Sequence, residues 1–147
     1  MNRIGLVLLS VAFVTSAAWA ENTPKEEANK KLVTTFYERV LNQKDIAAID
    51  EYVGPYRQHN PKAGDGPEGL KGFIAYLREN SPKSHSEIKK VFADGDYVIL
   101  HVHAVREPGS LGLAIIDIFR VDSGRIVEHW DVIQEIPEKA ANNNGMF

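Results

Sequence analysis

From Ser86 to Gln134 apolar and polar residues alternate along four runs, 86–93, 97–106, 111–121 and 125–134. They are separated only by Asp94-Gly95, Glu107-Pro108-Gly109-Ser110 and Asp122-Ser123-Gly124. A period of two is the pattern of strands. Connections this short join antiparallel neighbours, because a parallel crossover needs a dozen or more residues. The C-terminal half therefore reads as an antiparallel meander.

Upstream the apolar residues recur at helical spacing. Thr23-Pro24-Lys25-Glu26 is a helix start, with Thr23 as N-cap, Pro24 in the first turn and Glu26 able to close a capping box. Leu32, Val33, Phe36, Tyr37, Val40 and Leu41 give that helix one apolar side as far as about residue 41. Asp45 opens a shorter helix that Gly54-Pro55 ends. The segment from Tyr56 to Pro61 is extended or a turn, since Pro61 disfavours a helical Asn60. Asp65 and Glu68 stand in capping-box spacing before a third helix, and Asn80-Ser81-Pro82 stops it. Helices followed by an antiparallel sheet predict an α+β layer arrangement, the helices covering one face.

Alternation also sorts the strand residues. Tyr97, Ile99, His101, His103 and Val105 share one side of the second strand; Leu113, Ile115, Asp117 and Phe119 share one side of the third. Both sides are apolar apart from the ionisable residues, so the sheet needs two covers: helices on one face and a second copy of the chain on the other. In the fourth strand, Trp130 favours its own set (Ile126, Glu128, Val132) for the inner side. That sends His129 and Asp131 outward.

The first twenty residues read as an export signal. Arg3 precedes a short apolar run, and Ala18-Trp19-Ala20 has the small-x-small cleavage form. Residues 21–137 are then expected as a single domain and 138–147 as a tail, with a periplasmic or secreted location. The tail ends on Met146-Phe147, which either docks in an apolar groove or stays exposed. There is no cysteine, so the fold depends on packing, with neither disulfides nor a thiol nucleophile. A net charge of −3 with interspersed signs argues against nucleic acid or an anionic membrane surface as partner.

The Asp117-to-Asp131 stretch, DIFRVDSGRIVEHWD, together with Tyr56-Arg57-Gln58-His59-Asn60-Pro61, resembles the SnoaL-like, polyketide-cyclase-like branch of the nuclear-transport-factor-2-like superfamily. The resemblance spans about residues 25–134. It implies a cone, the cystatin-like arrangement of N-terminal helices on a curved antiparallel sheet, open at one end to a pocket and commonly dimeric through the outer sheet face. It also implies acid-base chemistry on a small apolar or carbonyl-containing molecule, of cyclase, isomerase or dehydratase type and without a cofactor. Asp117 matches the acid/base aspartate, His103 the partner histidine and His59 the pocket histidine.

The residues themselves leave more open. A carboxylate between Ile115 and Phe119 would be desolvated and a better base near neutral pH, or it would be a structural Asp paired with Arg106 or Arg120. His101 and His103 lie on one side of a strand. They suit pocket hydrogen bonding, a structural role, or metal binding if His59 or Asp117 supplied a third ligand. Tyr56, Phe119, Trp130 and His101 are the expected substrate-contacting residues, and no metal is assigned. A non-catalytic module binding an apolar ligand would use the same pocket.

Overall fold

The computed structural model describes residues 21–147; the stretch read above as an export signal, 1–20, lies outside the described residues. Helix α1 (Pro24–Phe36) begins as the sequence predicts. Thr23 Oγ1 accepts from the Glu26 backbone N–H at 3.3 Å and the Glu26 carboxylate accepts from the Thr23 N–H at 2.7 Å. The helix continues as a π-helical stretch, Tyr37–Asn42. Such wide turns are uncommon and concentrate at functional positions, and here Tyr37 opens one. A four-residue helix α2 (Ile49–Tyr52) follows, then strand β1 (Val53–Gln58) and helix α3 (Gly66–Asn80). The four expected strands appear as β2 (His85–Asp94), β3 (Tyr97–Val105), β4 (Leu113–Asp122) and β5 (Arg125–Glu135).

The sheet has the order β1-β5-β4-β3-β2, with β2 to β5 antiparallel. The meander was legible from the turns; the fifth strand was not. β1 runs parallel to β5, which makes the sheet mixed rather than purely antiparallel. Gly54 and Pro55 read as a helix stop, yet they lie inside β1. Proline lacks an N–H but is tolerated on an edge strand, and the pairing is irregular between Val53 and Arg57. The Asp65 capping box does not form: its carboxylate accepts instead from the Gln58 backbone N–H at 2.8 Å, tying the end of β1 to the start of α3.

The β4–β5 turn is a two-residue type I′ turn, with Ser123 at φ 50° and Gly124 at φ 75°. Just above it the register shifts between Arg120 and Val121, so one extra residue stands on β5; a second irregularity interrupts β2–β3 between Ile88 and Lys90. Bulges of this kind bend strands and increase their twist, giving a curved, open sheet.

The helices cover one face. Val33, Phe36 and Val40 of α1 and its π-helical extension, and Ile74 and Leu77 of α3, pack against Val98, Leu100, Val102, Phe119 and Ile126, all buried. The other face is open and carries Phe92, Tyr97, Ile116 and Val132 in exposed positions. Phe147 returns to this open face, its ring centroid 5.0 Å from His101 and 4.9 Å from His103. Among the described residues, no helix is long and apolar enough to cross a membrane.

Candidate active site

Between the helices and the covered face lies a cavity of about 240 Å³. Its apolar wall comes from Phe36, Leu41, Leu70, Phe73, Ile115 and Phe119, and its polar wall from Tyr37, Tyr56, Gln58, Asn60, Asp117, His129, Asp131 and Arg106. An apolar cleft with a few converging polar groups is the usual form of a small-molecule site.

Asp117, 4% exposed, is the centre of the polar wall. One carboxylate oxygen accepts from the Tyr37 hydroxyl at 2.9 Å; the other faces His129 Nε2 at 3.0 Å. Burial first, and the charge of Asp117 second, push the Tyr37 phenol well up, so it stays protonated and donates. The same two causes raise Tyr56.

The protonation of His129 follows from its neighbours. Gln58 Oε1 accepts from the Asn60 backbone N–H at 2.9 Å, and only an oxygen can do so. His129 Nδ1, 2.9 Å from that oxygen, therefore carries a hydrogen. The contact between Nε2 and Asp117 then needs one further proton, held either by the imidazole or by the carboxyl. The pair is thus a one-proton unit with two forms, imidazolium–carboxylate and imidazole–carboxylic acid. Beside it, Asp131 Oδ2 accepts from Asn60 Nδ2 at 2.8 Å. Its other oxygen has no hydrogen-bond partner among the described residues.

The sequence expectation joined Asp117 to His103, and the structure separates them. The β3–β4 register sets Leu100 opposite Asp117, so residues 98, 100, 102 and 104 share the covered face with Asp117. His101 and His103 point to the open face, where His103 Nε2 donates to the Leu111 carbonyl at 2.8 Å and holds the 106–112 loop. Within each strand the sorting was sound. What alternation lacks is the alignment between strands.

Trp130 is also on the open face, contrary to expectation, and His129 and Asp131 point inward. The bulge is the reason. Near the turn Val121 pairs with Ile126, but above it Phe119 pairs with His129 and Asp117 with Asp131. Had the near-turn register continued, Trp130 would stand opposite Asp117. A one-residue slip inverts every side chain beyond it. His59 follows Trp130: their rings stack at 4.6 Å, and His59 Nε2 bonds Glu128 at 2.9 Å, away from the cavity. Of the expected contact residues, Phe119 and Tyr56 line the cavity; His101 and Trp130 do not.

Sequence reasoning missed Gln58, Asn60, His129 and Asp131 as site residues. The signal that could have found the last two is their alternation with Ile133 on β5, once the bulge is known. The same wall includes the one grouping among the described residues that could hold a metal ion: Asp117, His129 and Asp131 offer ligand atoms within 4.8 Å of one another. The protein's own hydrogen bonds already engage Asp117 and His129 with each other. His101 and His103 gather no third ligand there.

No curated protein matches the chain in sequence. Solved structures resemble it at low identity. One, provisionally named a SnoaL-like polyketide cyclase from Jannaschia sp. CCS1, is 19% identical over 78% of this chain and 90% of its own, with a TM-score of 0.65. An LEH-like epoxide hydrolase from M. tuberculosis is 20% identical over 76% and 86%, with a TM-score of 0.63. A polyketide cyclase, again provisionally named, from Acidithiobacillus ferrooxidans is 24% identical over 72% and 87%, with a TM-score of 0.61. Identities this low establish a shared fold, and a fold hosts many chemistries. Residues 33–129 match the SnoaL-like domain. With the helix-covered curved sheet in the arrangement those structures share, the chain belongs to the SnoaL-like domain family of the nuclear-transport-factor-2-like superfamily.

Proposed function

We propose that this protein is a small-molecule enzyme that moves protons between carbon and oxygen beside a carbonyl group, as in an isomerase, a dehydratase or an aldol-type cyclase. The carrying observation is the buried contact between Asp117 and His129 Nε2 at 3.0 Å, beside the cavity. In the imidazolium–carboxylate form, Asp117 takes a proton from the carbon next to the carbonyl while His129 gives its Nε2 proton to the carbonyl oxygen. The substrate becomes an enol and the pair becomes imidazole plus carboxylic acid, its other form, with no net proton taken from water. Return of the proton to a different carbon is an isomerisation; attack of the enol carbon on a second carbonyl is an aldol closure. General acid-base catalysis contributes typically 10²–10⁴-fold. Tyr37 stabilises the carboxylate and Gln58 fixes the imidazole tautomer.

The test is deuterium exchange at the carbon beside the carbonyl in a panel of small ketones and oxo acids, followed by NMR, for the wild type and Asp117→Asn. Exchange that vanishes in the folded variant supports the reading. Ligand binding with no exchange in either protein makes the chain a binding module instead.

Two further readings belong here. The exposed apolar residues of the open face support a homodimer through that face; Val132→Arg should then halve the mass in sedimentation. The Ala18-Trp19-Ala20 pattern supports export and cleavage; the mature protein isolated from its own cells should begin at Glu21.

A further inference from the structure

Three arginines among the described residues are half-buried: Arg39, Arg106 and Arg120. Arg39 is bonded to Asp45 and Glu51, and Arg120 to Glu128. With the described residues Arg106 forms no ion pair and no side-chain hydrogen bond. Glu107, its neighbour in sequence, is turned to the Ser81 hydroxyl at 3.2 Å. No side-chain nitrogen in the described residues is both buried and unpartnered, so the guanidinium of Arg106 reaches accessible space. Arg106 lines the cavity, in the same wall as Asp117 and His129. The guanidinium carbon stands 5.6 Å from the Phe73 ring centroid, within cation–π range, which steadies the side chain against an apolar neighbour. Its charge also reaches the Tyr37 hydroxyl, where it opposes the effect of Asp117.

A guanidinium offers five N–H donors in a planar fork that matches a carboxylate. Desolvating such a group without a partner is costly, so an apolar cavity that holds one favours an anionic ligand. With the shared proton on His129, the wall carries negative charge at Asp117 and Asp131 and positive charge at His129, Arg106 and, on the exposed rim, Lys62. An anion is tolerated there by balance as well as by contact. Size narrows the class further. A volume of about 240 Å³ has room for one ring or a short chain.

We propose that the cavity takes a compact carboxylic acid carrying a second carbonyl, with its carboxylate on the Arg106 guanidinium and the reacting carbonyl at Asp117 and His129. This deepens the proton-transfer reading and rests on it for the role of the second carbonyl. The carboxylate contact stands independently.

The test uses benzoate and benzamide, which share shape and differ in charge, titrated by calorimetry into the wild type, Arg106→Gln, Arg106→Lys and Asp117→Asn. Benzoate is expected to bind the wild type on the order of ten- to a hundredfold more tightly than benzamide, as for a hydrogen-bonded charge pair. Arg106→Gln should erase the difference and Arg106→Lys should retain part of it. Asp117→Asn, which removes a negative charge from the same wall, should keep or enlarge it while losing proton exchange. Equal affinity for the two probes in the wild type, no benzoate binding at all, or an Arg106→Gln protein that still prefers benzoate would each overturn the proposal. Exchange on neutral ketones by a wild type that shows no preference for benzoate would leave the proton-transfer reading intact and sink this one.

Discussion

The two faces of the sheet carry similar residue types on the same strands and differ in what surrounds them. On the covered face, Asp117 and His129 are 4% and 8% exposed and belong to one hydrogen-bonded chain from Tyr37 to Gln58. On the open face, Glu128 bonds His59 and Arg120, His59 stacks on Trp130, and His101 and His103 meet Phe147 and the 106–112 loop. Ionisable groups near water settle into salt bridges worth little individually. Under the helices the same groups are largely shielded from bulk water, so bonding to one another or to a ligand counts for more. Composition alone did not distinguish these faces; burial did.

The largest expected contrast is catalytic. Asp117→Asn should lower proton exchange by roughly 10²–10⁴-fold, whereas His103→Ala should leave it near wild type and loosen the 106–112 loop. NMR exchange rates measure the first and proteolysis of that loop the second. If His103→Ala abolished exchange and Asp117→Asn did not, the division between faces would be wrong as a guide to chemistry.

Packing should differ next. Leu100→Ala on the covered face should cost about 2–5 kcal/mol in urea unfolding, while Val132→Ala on the open face of the monomer should stay within about 0.5 kcal/mol.

Tyr37→Phe should cost about 1–3 kcal/mol, because a buried oxygen of Asp117 loses its donor. It should also change the alkaline limb. Burial holds the Tyr37 hydroxyl above the ordinary phenol range, so the folded protein keeps a proton that the unfolded chain starts to lose near about pH 10. That contribution is complete below about pH 10 and decays above it. The variant should show a shallower loss between about pH 9 and 11, with Tyr56 accounting for what remains.

The smallest effect belongs to the open face. The hydrogen bond to His59, and then that to Arg120, hold the Glu128 carboxyl below the usual carboxylate range. The folded state thus binds fewer protons there than the unfolded one. Its contribution is present above about pH 4.3 and is lost as acid carries the pH below that. Thermal melts of Glu128→Gln should therefore differ from wild type near neutrality and converge with it in acid, by less than any change above.

Much of the fold could be read in the chain because its signals are local. Thr23 and Glu26 form their cap within one turn, Ser123-Gly124 fixes a hairpin by its own backbone angles, and alternation sorts residues within a strand. β1 escaped because Gly54 and Pro55 argue for a stop, and only pairing with β5 makes an edge strand of them. Asp117 could be singled out from its apolar neighbours, whereas His129 could not, since its direction depends on a bulge several residues away.

The sequence by itself determined the order of the helices and the four-stranded meander after them, Asp117 as the carboxylate of interest and the apolar character of both sheet faces. Tertiary structure alone decided which histidine meets that carboxylate, that Trp130 and His59 leave the cavity, and that Arg106 lines it without a partner among the described residues. The physical reason is parity. A strand's side chains alternate with a fixed period, so local pattern gives two sets for each strand, and only the inter-strand register, changed here by one inserted residue, states which sets share a face.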